Sequence, residues 1–452
     1  MSACGPQRAL LATFGSLGDL HPYIAVGRAL QARGVPARIA SSPEYREAVE
    51  GAGLEFAPMR PSIGVFGTQA EVARRLFHPL LGVRRLLRDY VMPHLRDTCA
   101  DLERAAADAD VFVSHPLTYA LPMIAWRQGK PWLSSVLAPM SLLSRHDPPV
   151  VAGLDVLRWA HRQGPAVYKF VLGLARRAVR RWERPLHAFR AEFGLPPTTQ
   201  VMTFEGQFSP FGTLALFDSA LAQPQPDWPE HTHVCGAALF DGEVSAHTRR
   251  DDVQRFLDAG EAPIVFALGS SAVWIAGDFW THAIAAAQRL GRRAILLTGE
   301  ARLPPLPEGI RAFDYVPYSQ VFPHAVAVVH QAGIGTLSQA MRAGRPQLIT
   351  PVAFDQPDNA ARAVRLGVGR VLPFARVTAD RLCATLQCVL ADPAYADAAR
   401  RVADQLRTID GAAAAADHII AAMQAPPDRT AHRSASSTSV PSLMPSNRNV
   451  ER

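Results

Sequence analysis

The stretch His330-Gln331-Ala332-Gly333-Ile334-Gly335-Thr336 constrains the fold of this chain more than any other. Ahead of it, Ala325 to Val329 is a short valine-rich run that predicts a buried strand, and behind it Leu337 to Arg342 carries helical character. A Gly-rich turn therefore joins strand to helix. Glycine lets the backbone approach a ligand closely, and the first N–H groups of the following helix lack internal partners, so a phosphate is well received there. The pattern recurs downstream, where Pro346 to Thr350 predicts a strand and Asp355-Gln356-Pro357-Asp358-Asn359 supplies polar groups before a second helical run. Two polar loops thus leave neighbouring strands at one edge. In an open parallel sheet that edge, outside the carboxyl ends of the strands, is where ligands bind.

The chain opens in the same way. Ala9 to Phe14 predicts a strand, Gly15-Ser16-Leu17-Gly18-Asp19 a turn, Pro22 to Arg33 a helix stopping at Gly34, and Ala37 to Ala40 a second strand. The glycine spacing is not G-x-G-x-x-G, so the dinucleotide fingerprint is absent. Val111 to Ser114 and Trp132 to Val136 predict further strands, and residues 61 to 105 loops and helices. Asp108-Ala109-Asp110 offers two carboxylates, but it precedes its strand, at the wrong edge for a metal site, and reads as a helix end. Gln223 to Pro229, with three prolines, is the best linker. Beyond it the order repeats: a strand at Pro263 to Leu268, the small-residue turn Gly269-Ser270-Ser271, a helix at Phe279 to Leu290 and a strand at Ala294 to Leu297. The expected fold is α/β, with two doubly wound Rossmann-like domains facing each other across a cleft. Their expected bounds are 1–222 and 246–410, joined by a linker at 223–245 and followed by a helix at 411–425 and a disordered tail at 426–452.

Composition agrees with two domains and excludes several classes. At 452 residues the chain exceeds one ordinary core. Its longest apolar runs fall short of the ~20 residues of a membrane span, and no charged-then-apolar leader opens it, so a cytoplasmic location is expected. Five scattered cysteines predict neither a disulfide framework nor a zinc site. The net charge of +7 is dispersed arginine rather than a basic run with interleaved aromatics, which argues against a nucleic-acid partner. Residues 154 to 184 differ: eight Arg or Lys face two acids, Asp155 and Glu183, among Trp159, Tyr168, Phe170 and Trp182. A peripheral helix on an anionic membrane surface and a solvated basic face on a core helix both fit, and the solvated face is preferred.

The run from His330 through Asn359 resembles the donor-binding signature of GT-B glycosyltransferases of the family 1 type, which use nucleotide-activated sugars. Residues 8 to 33, the Pro224 to Gly242 junction and Phe256 to Gly299 are similar to the rhamnosyltransferases of rhamnolipid synthesis, and the likeness extends to about Met423. It implies the GT-B fold, with the last helices crossing back onto the first domain. It also implies that His330 and Thr336 touch the donor diphosphate, that Asp355 and Gln356 hold sugar hydroxyls, and that Tyr315-Val316-Pro317 lies against the nucleotide base. Ala332 stands where the family more often has glycine.

Sugar transfer from a nucleoside diphosphate needs a base for the acceptor hydroxyl, a sink for the leaving diphosphate's charge, and groups to orient the sugar. No carboxylate pair suited to Mg²⁺ is evident, so no metal and no cofactor beyond the co-substrate nucleotide sugar are expected; Ser270, Ser271, His330, Gly333, Gly335 and Thr336 are placed to stabilise charge. Asp355, Gln356 and Asn359 complete the donor set. For the base, Asp19 matches the aspartate of the Gly-Ser-x-Gly-Asp form of the superfamily, whereas plant-type members use a histidine in this loop and His21 is close by. Asp19 is favoured, although a carboxylate opening a helix also serves as a cap.

The apolar segment Leu133 to Leu143, with 154 to 184 and Leu76 to Leu95, is expected to wall a lipophilic acceptor site with a basic rim. With the resemblance, this favours rhamnosyl transfer from dTDP-rhamnose to a hydroxyacyl lipid. Glucosyl transfer from UDP-glucose to a sterol, polyketide or other small hydroxylated molecule is the alternative. A non-catalytic auxiliary binding protein and a sugar-nucleotide epimerase stand further back.

Overall fold

The computed structural model describes residues 7–78, 81–151, 153–242 and 250–424. The expected tail at 426–452 lies outside the described residues. Seven parallel strands make the first sheet: β1 Ala9–Ala12, β2 Ala37–Ser41, β3 Glu55–Pro58, β4 Val111–Ser114, β5 Trp132–Val136, β6 Thr213–Ala215 and β7 Thr232–Val234. Their order is β3-β2-β1-β4-β5-β6-β7. Six more form the second: β8 Ile264–Ala267, β9 Ala294–Leu297, β10 Ile310–Phe313, β11 Ala327–His330, β12 Gln347–Ile349 and β13 Gly369–Val371, ordered β10-β9-β8-β11-β12-β13. The central strands β1, β4, β8 and β11 are buried along their whole length, as strands covered by helices on both faces must be. The two doubly wound domains are therefore as expected. Each sheet reverses its winding direction once, between β1 and β4 and between β8 and β11, and such switch points are where open α/β sheets bind ligands.

The helices used below are α1 Leu17–Gln31, α2 Asp155–Arg162, α3 Pro165–Trp182, α4 Gly269–Ala272, α5 Ile334–Arg342, α6 Gln356–Arg365 and α7 Gly411–Gln424. Through Ala412, Ala415, Ala416 and Ile419, α7 joins the apolar cluster of the first domain that contains Leu20, Tyr23 and Ile24 of α1, and Arg33 Nε donates to Asp417 Oδ1 at 2.7 Å. The chain thus ends, within the described residues, on the domain where it began.

Several local expectations are corrected. The strand expected at Ala325 to Val329 runs to His330, because β11 pairs in register with β8 and β12 through that residue. The helix after the Asp355 loop begins at Gln356, not beyond Asn359, since proline is accommodated in its first turn. Gly269-Ser270-Ser271, expected as a small-residue turn between strand and helix, is itself one turn of helix. The segment expected to link the domains at 223–245 contains β7, hydrogen-bonded into the first sheet, so the crossover lies after Val234. The basic stretch 154 to 184 is two helices broken at Gln163-Gly164, where Gly164 has φ 110°.

Candidate active site

Asp19 sits at the third position of α1, where the turn after β1 delivers it. Ser16 caps the helix, accepting from Gly18 N at 3.2 Å, while Asp19 Oδ2 accepts from Ser16 N at 2.7 Å and Ser16 Oγ at 3.0 Å. Gly15 is required there: its φ is 144°, and a Cβ would come within 2.2 Å of Asp19 Oδ2. The cap occupies one carboxylate oxygen only. The other, Oδ1, lies 3.5 Å from His115 Nε2. His115 follows β4, across the switch point from β1, and its Nδ1 accepts the Leu117 N–H at 3.3 Å. An imidazole nitrogen that accepts a backbone N–H carries no proton, which leaves the ring's N–H on Nε2, toward Asp19. In the sequence His115, like His146, is a histidine in a loop near the same sheet edge with no role assigned; its place beside Asp19 comes from the structure.

His21 lies two residues further along α1, and its ring meets Phe240 edge-on with centroids 5.4 Å apart. Burial pushes its pKa down to about 4 against the opposing pull of Asp241, so it is neutral near pH 7.

Across the cleft, the turn after β11 is built around His330. The ring is fully buried, Nδ1 accepts from Ala332 N at 3.1 Å, and Nε2 pairs with Gln347 Oε1 at 3.0 Å. With both ring nitrogens so engaged, the direct diphosphate contact expected of the His330 side chain is not what this arrangement offers; the imidazole holds the turn instead. Ala332, in the place of the family's glycine, takes φ 66°. Gly333 caps α5, and a Cβ on Gly335 would meet nothing within 4 Å, so the backbone N–H groups opening α5 stand behind an unobstructed turn. Thr336 is nearly buried, and its hydroxyl bonds the Tyr318 phenol and lies 3.5 Å from Gln331 Nε2. The Gln331 amide fills the gap between Gly269 and Gly333, where a Cβ would approach Nε2 at 2.1 Å and 2.9 Å, and its Oε1 is buried without a partner. Ser270 and Ser271, half-buried on α4 after β8, complete this wall, with α4 lying against α1 of the first domain.

The loop after β12 is tied to the same turn. Asn359 Nδ2 donates to Ala332 O at 3.0 Å and to Asp355 Oδ2 at 2.7 Å, while Gln356 Oε1 accepts from Val352 N at 2.9 Å. Asn359 is thus a brace between two loops, and Asp355 a carboxylate on a fixed stem. Burial, and in lesser degree the nearby negative charge of Asp19, push the Asp355 pKa up to about 7, overcoming the Asn359 hydrogen bond. Asp19 and Asp355, on opposite domains, are thus near enough for the charge of one to act on the other.

Tyr315, half-buried, turns its phenol toward Gly242, and burial raises its pKa; Val316 is fully buried in the core of the second domain. The apolar wall expected at Leu133 to Leu143 is mostly core: Leu133, Val136, Leu137 and Leu142 are buried, leaving Met140 and Leu143 half-buried. Leu87, Val91 and Leu95 are likewise internal. No group of three or more His, Cys, Asp or Glu able to hold a metal ion occurs among the described residues.

Two facing doubly wound domains, each presenting its switch point to a shared cleft, define the GT-B class of nucleotide-sugar glycosyltransferases. Residues 9–111 match the glycosyltransferase family 28 N-terminal domain, and residues 293–421 the erythromycin biosynthesis protein CIII-like C-terminal domain. The chain is 31% identical over 407 residues to the O-mycaminosyltylonolide 6-deoxyallosyltransferase of Streptomyces fradiae, covering 88% of this chain and 93% of the relative. It is 30% identical over 421 residues to the vancomycin aglycone glucosyltransferase of Amycolatopsis orientalis, covering 91% and 96%. The chain belongs to this antibiotic-type family of GT-B glycosyltransferases. Solved structures agree in fold: the glycosyltransferase VinC in complex with dTDP superposes with a TM-score of 0.65 at 21% identity, over 92% of this chain and all of that one. The spinosyn rhamnosyltransferase SpnG complexed with thymidine diphosphate does so with 0.62 at 20%, over 90% and 98%.

Proposed function

We propose that this glycosyltransferase moves a hexose, rhamnose in the first instance, from its thymidine-diphosphate donor to a hydroxyl of a lipophilic acceptor of the hydroxyacyl-lipid kind, by one metal-independent displacement that inverts the anomeric carbon. The observation that carries the mechanism is Asp19. One oxygen is fixed by the helix cap and the other faces His115 at the cleft. In the step, the acceptor oxygen bonds the anomeric carbon as the carbon–phosphate oxygen bond breaks, and the acceptor proton passes to Asp19 Oδ1. His115 orients that carboxylate. His21, neutral near pH 7 and packed edge-on against Phe240, is the second candidate for the base. The departing diphosphate's charge falls to the N–H groups opening α5 and to Thr336, Ser270 and Ser271. Asp355, with Gln356 beside it and Asn359 bracing it, binds sugar hydroxyls, and Gln331 Oε1 supplies a further acceptor.

A thymidine donor is supported by the two solved neighbours that hold that diphosphate. The acceptor rests on the resemblance to rhamnolipid transferases. The second reading, UDP-glucose onto a polyketide, sterol or similar small hydroxylated molecule, draws support from the vancomycin aglycone relative. A matrix of dTDP-rhamnose, UDP-glucose and UDP-galactose against hydroxyacyl lipids, sterols and phenols, read by product mass with and without EDTA, tests both. Rhamnosylated lipid that persists with chelator supports the first reading. Glucosylation of soluble phenols alone would overturn it, and activity lost to chelator would overturn the metal-free step.

A further inference from the structure

We infer that the hairpin of α2 and α3 docks the enzyme on an anionic lipid bilayer. Of the nine large hydrophobic side chains left exposed among the described residues, five lie on it: Leu154, Val156, Trp159, Phe170 and Leu174. A helix that merely shows a basic face to solvent keeps such residues inward. Here the inward side is already satisfied, since Leu157, Ala160 and Tyr168 pack with Val151, Val167, Val171 and Leu172 in a cluster of their own. Phe170 and Leu174 follow one another at helical spacing, and Arg177 and Arg181 continue the same stripe. Trp159 is 54% exposed and Phe170 67%.

Charge decides the occupant. Arg176 pairs with Glu205 and Arg180 donates to Thr199 O, but Arg158, Arg162, Lys169, Arg177 and Arg181, all exposed, have no carboxylate within reach among the described residues. Glu183, one of the two acids in the stretch, is fully buried and accepts from Met202 N and Thr203 N, so it offsets nothing at the surface. Aromatic and aliphatic side chains beside uncompensated cations suit the boundary between lipid headgroups and acyl chains; a second copy of the same basic face would be repelled. The hairpin also starts close to the cleft, because Val150 N donates to Asp358 of α6 at 2.9 Å. Docking there sets the mouth of the site beside the bilayer, the place from which an amphiphilic acceptor would enter. The inference stands without that reading, because binding is measured without donor or acceptor.

The test is sedimentation of the full chain with sucrose-loaded vesicles of equimolar phosphatidylglycerol and phosphatidylcholine, or of phosphatidylcholine alone. Binding is expected to the anionic vesicles and to fall with added salt. Arg177→Gln with Arg181→Gln should lower partitioning roughly 30-fold, the effect of two cations near a charged surface, and Trp159→Ser with Phe170→Ser should weaken it comparably. These positions are exposed, so thermal melting should show parental stability. Absence of binding to anionic vesicles, binding indifferent to both variant pairs, or a dimer seen by light scattering that Trp159→Ser with Phe170→Ser dissolves would each overturn the proposal.

Discussion

His115 Nε2 lies 3.5 Å from Asp19 Oδ1, bringing together side chains from the loops after β4 and β1 at the switch point of the first sheet. The tautomer set by Leu117 N points the ring's proton at the carboxylate. His115→Ala should therefore lower kcat by about 10–100-fold, the usual effect of losing an orienting partner, with donor KM nearly unchanged. His115→Gln, which keeps an N–H donor, should recover part of the loss. Steady-state kinetics check this, and parental kcat in the alanine variant would remove His115 from the mechanism.

Asp19→Asn keeps an oxygen for the Ser16 cap and removes the base. Turnover should drop by about 10²–10⁴-fold while donor affinity by calorimetry stays at the parental value. Helix capping is worth ~1 kcal/mol, so little change in melting temperature is expected. Unchanged turnover would move the proton to His21.

Burial pushes the Asp355 carboxyl up to about 7, well above the ordinary carboxylate value of about 4 that it keeps in the unfolded chain. The folded protein then binds more protons than the unfolded chain between these values. The associated stability is complete at acid pH below the unfolded value and declines as pH rises toward 7. Asp355→Asn, neutral at every pH and still able to accept from Asn359, should melt about 2–4 °C above the parent at pH 8.5, and this gain should shrink steadily as the pH is lowered. Equal melting curves at both ends of that range would show that the carboxyl is not held out of its ordinary range.

Arg362 of α6 is 2% exposed, and its Nε donates to Asp358 Oδ2 at 2.7 Å, while the same guanidinium pairs with Asp147 and donates to Leu221 O at 3.1 Å on the first domain. Arg362→Met strands Asp358, whose other oxygen accepts from Val150 N, and should cost about 3–5 kcal/mol. Adding Asp358→Asn should restore much of it. Chemical denaturation reads both, and additive losses would show that the pair is not coupled.

What could be read along the chain was what local pattern dictates. Apolar runs at 9–14 and 325–329, each ending in small residues and a helix, specified parallel strands with Gly turns at their carboxyl ends, and hence two doubly wound domains. Asp19, Thr336 and Asp355 stood out as candidates because a cap, a Gly-rich turn and an acidic loop are set by neighbours within a few residues. Pairing register and side-chain direction depend on distant segments, so only the tertiary structure settled them. Strand pairing through His330 turned its imidazole inward to hold Ala332 and Gln347; the crossing of β1 and β4 put His115 on Asp19. Burial of α6 against the first domain made Asn359 a brace and raised Asp355. The hairpin at 154–184 showed the same division: its composition was visible in the sequence, but which of its aromatics face outward was fixed by the small core that Tyr168 and Leu157 close between the two helices.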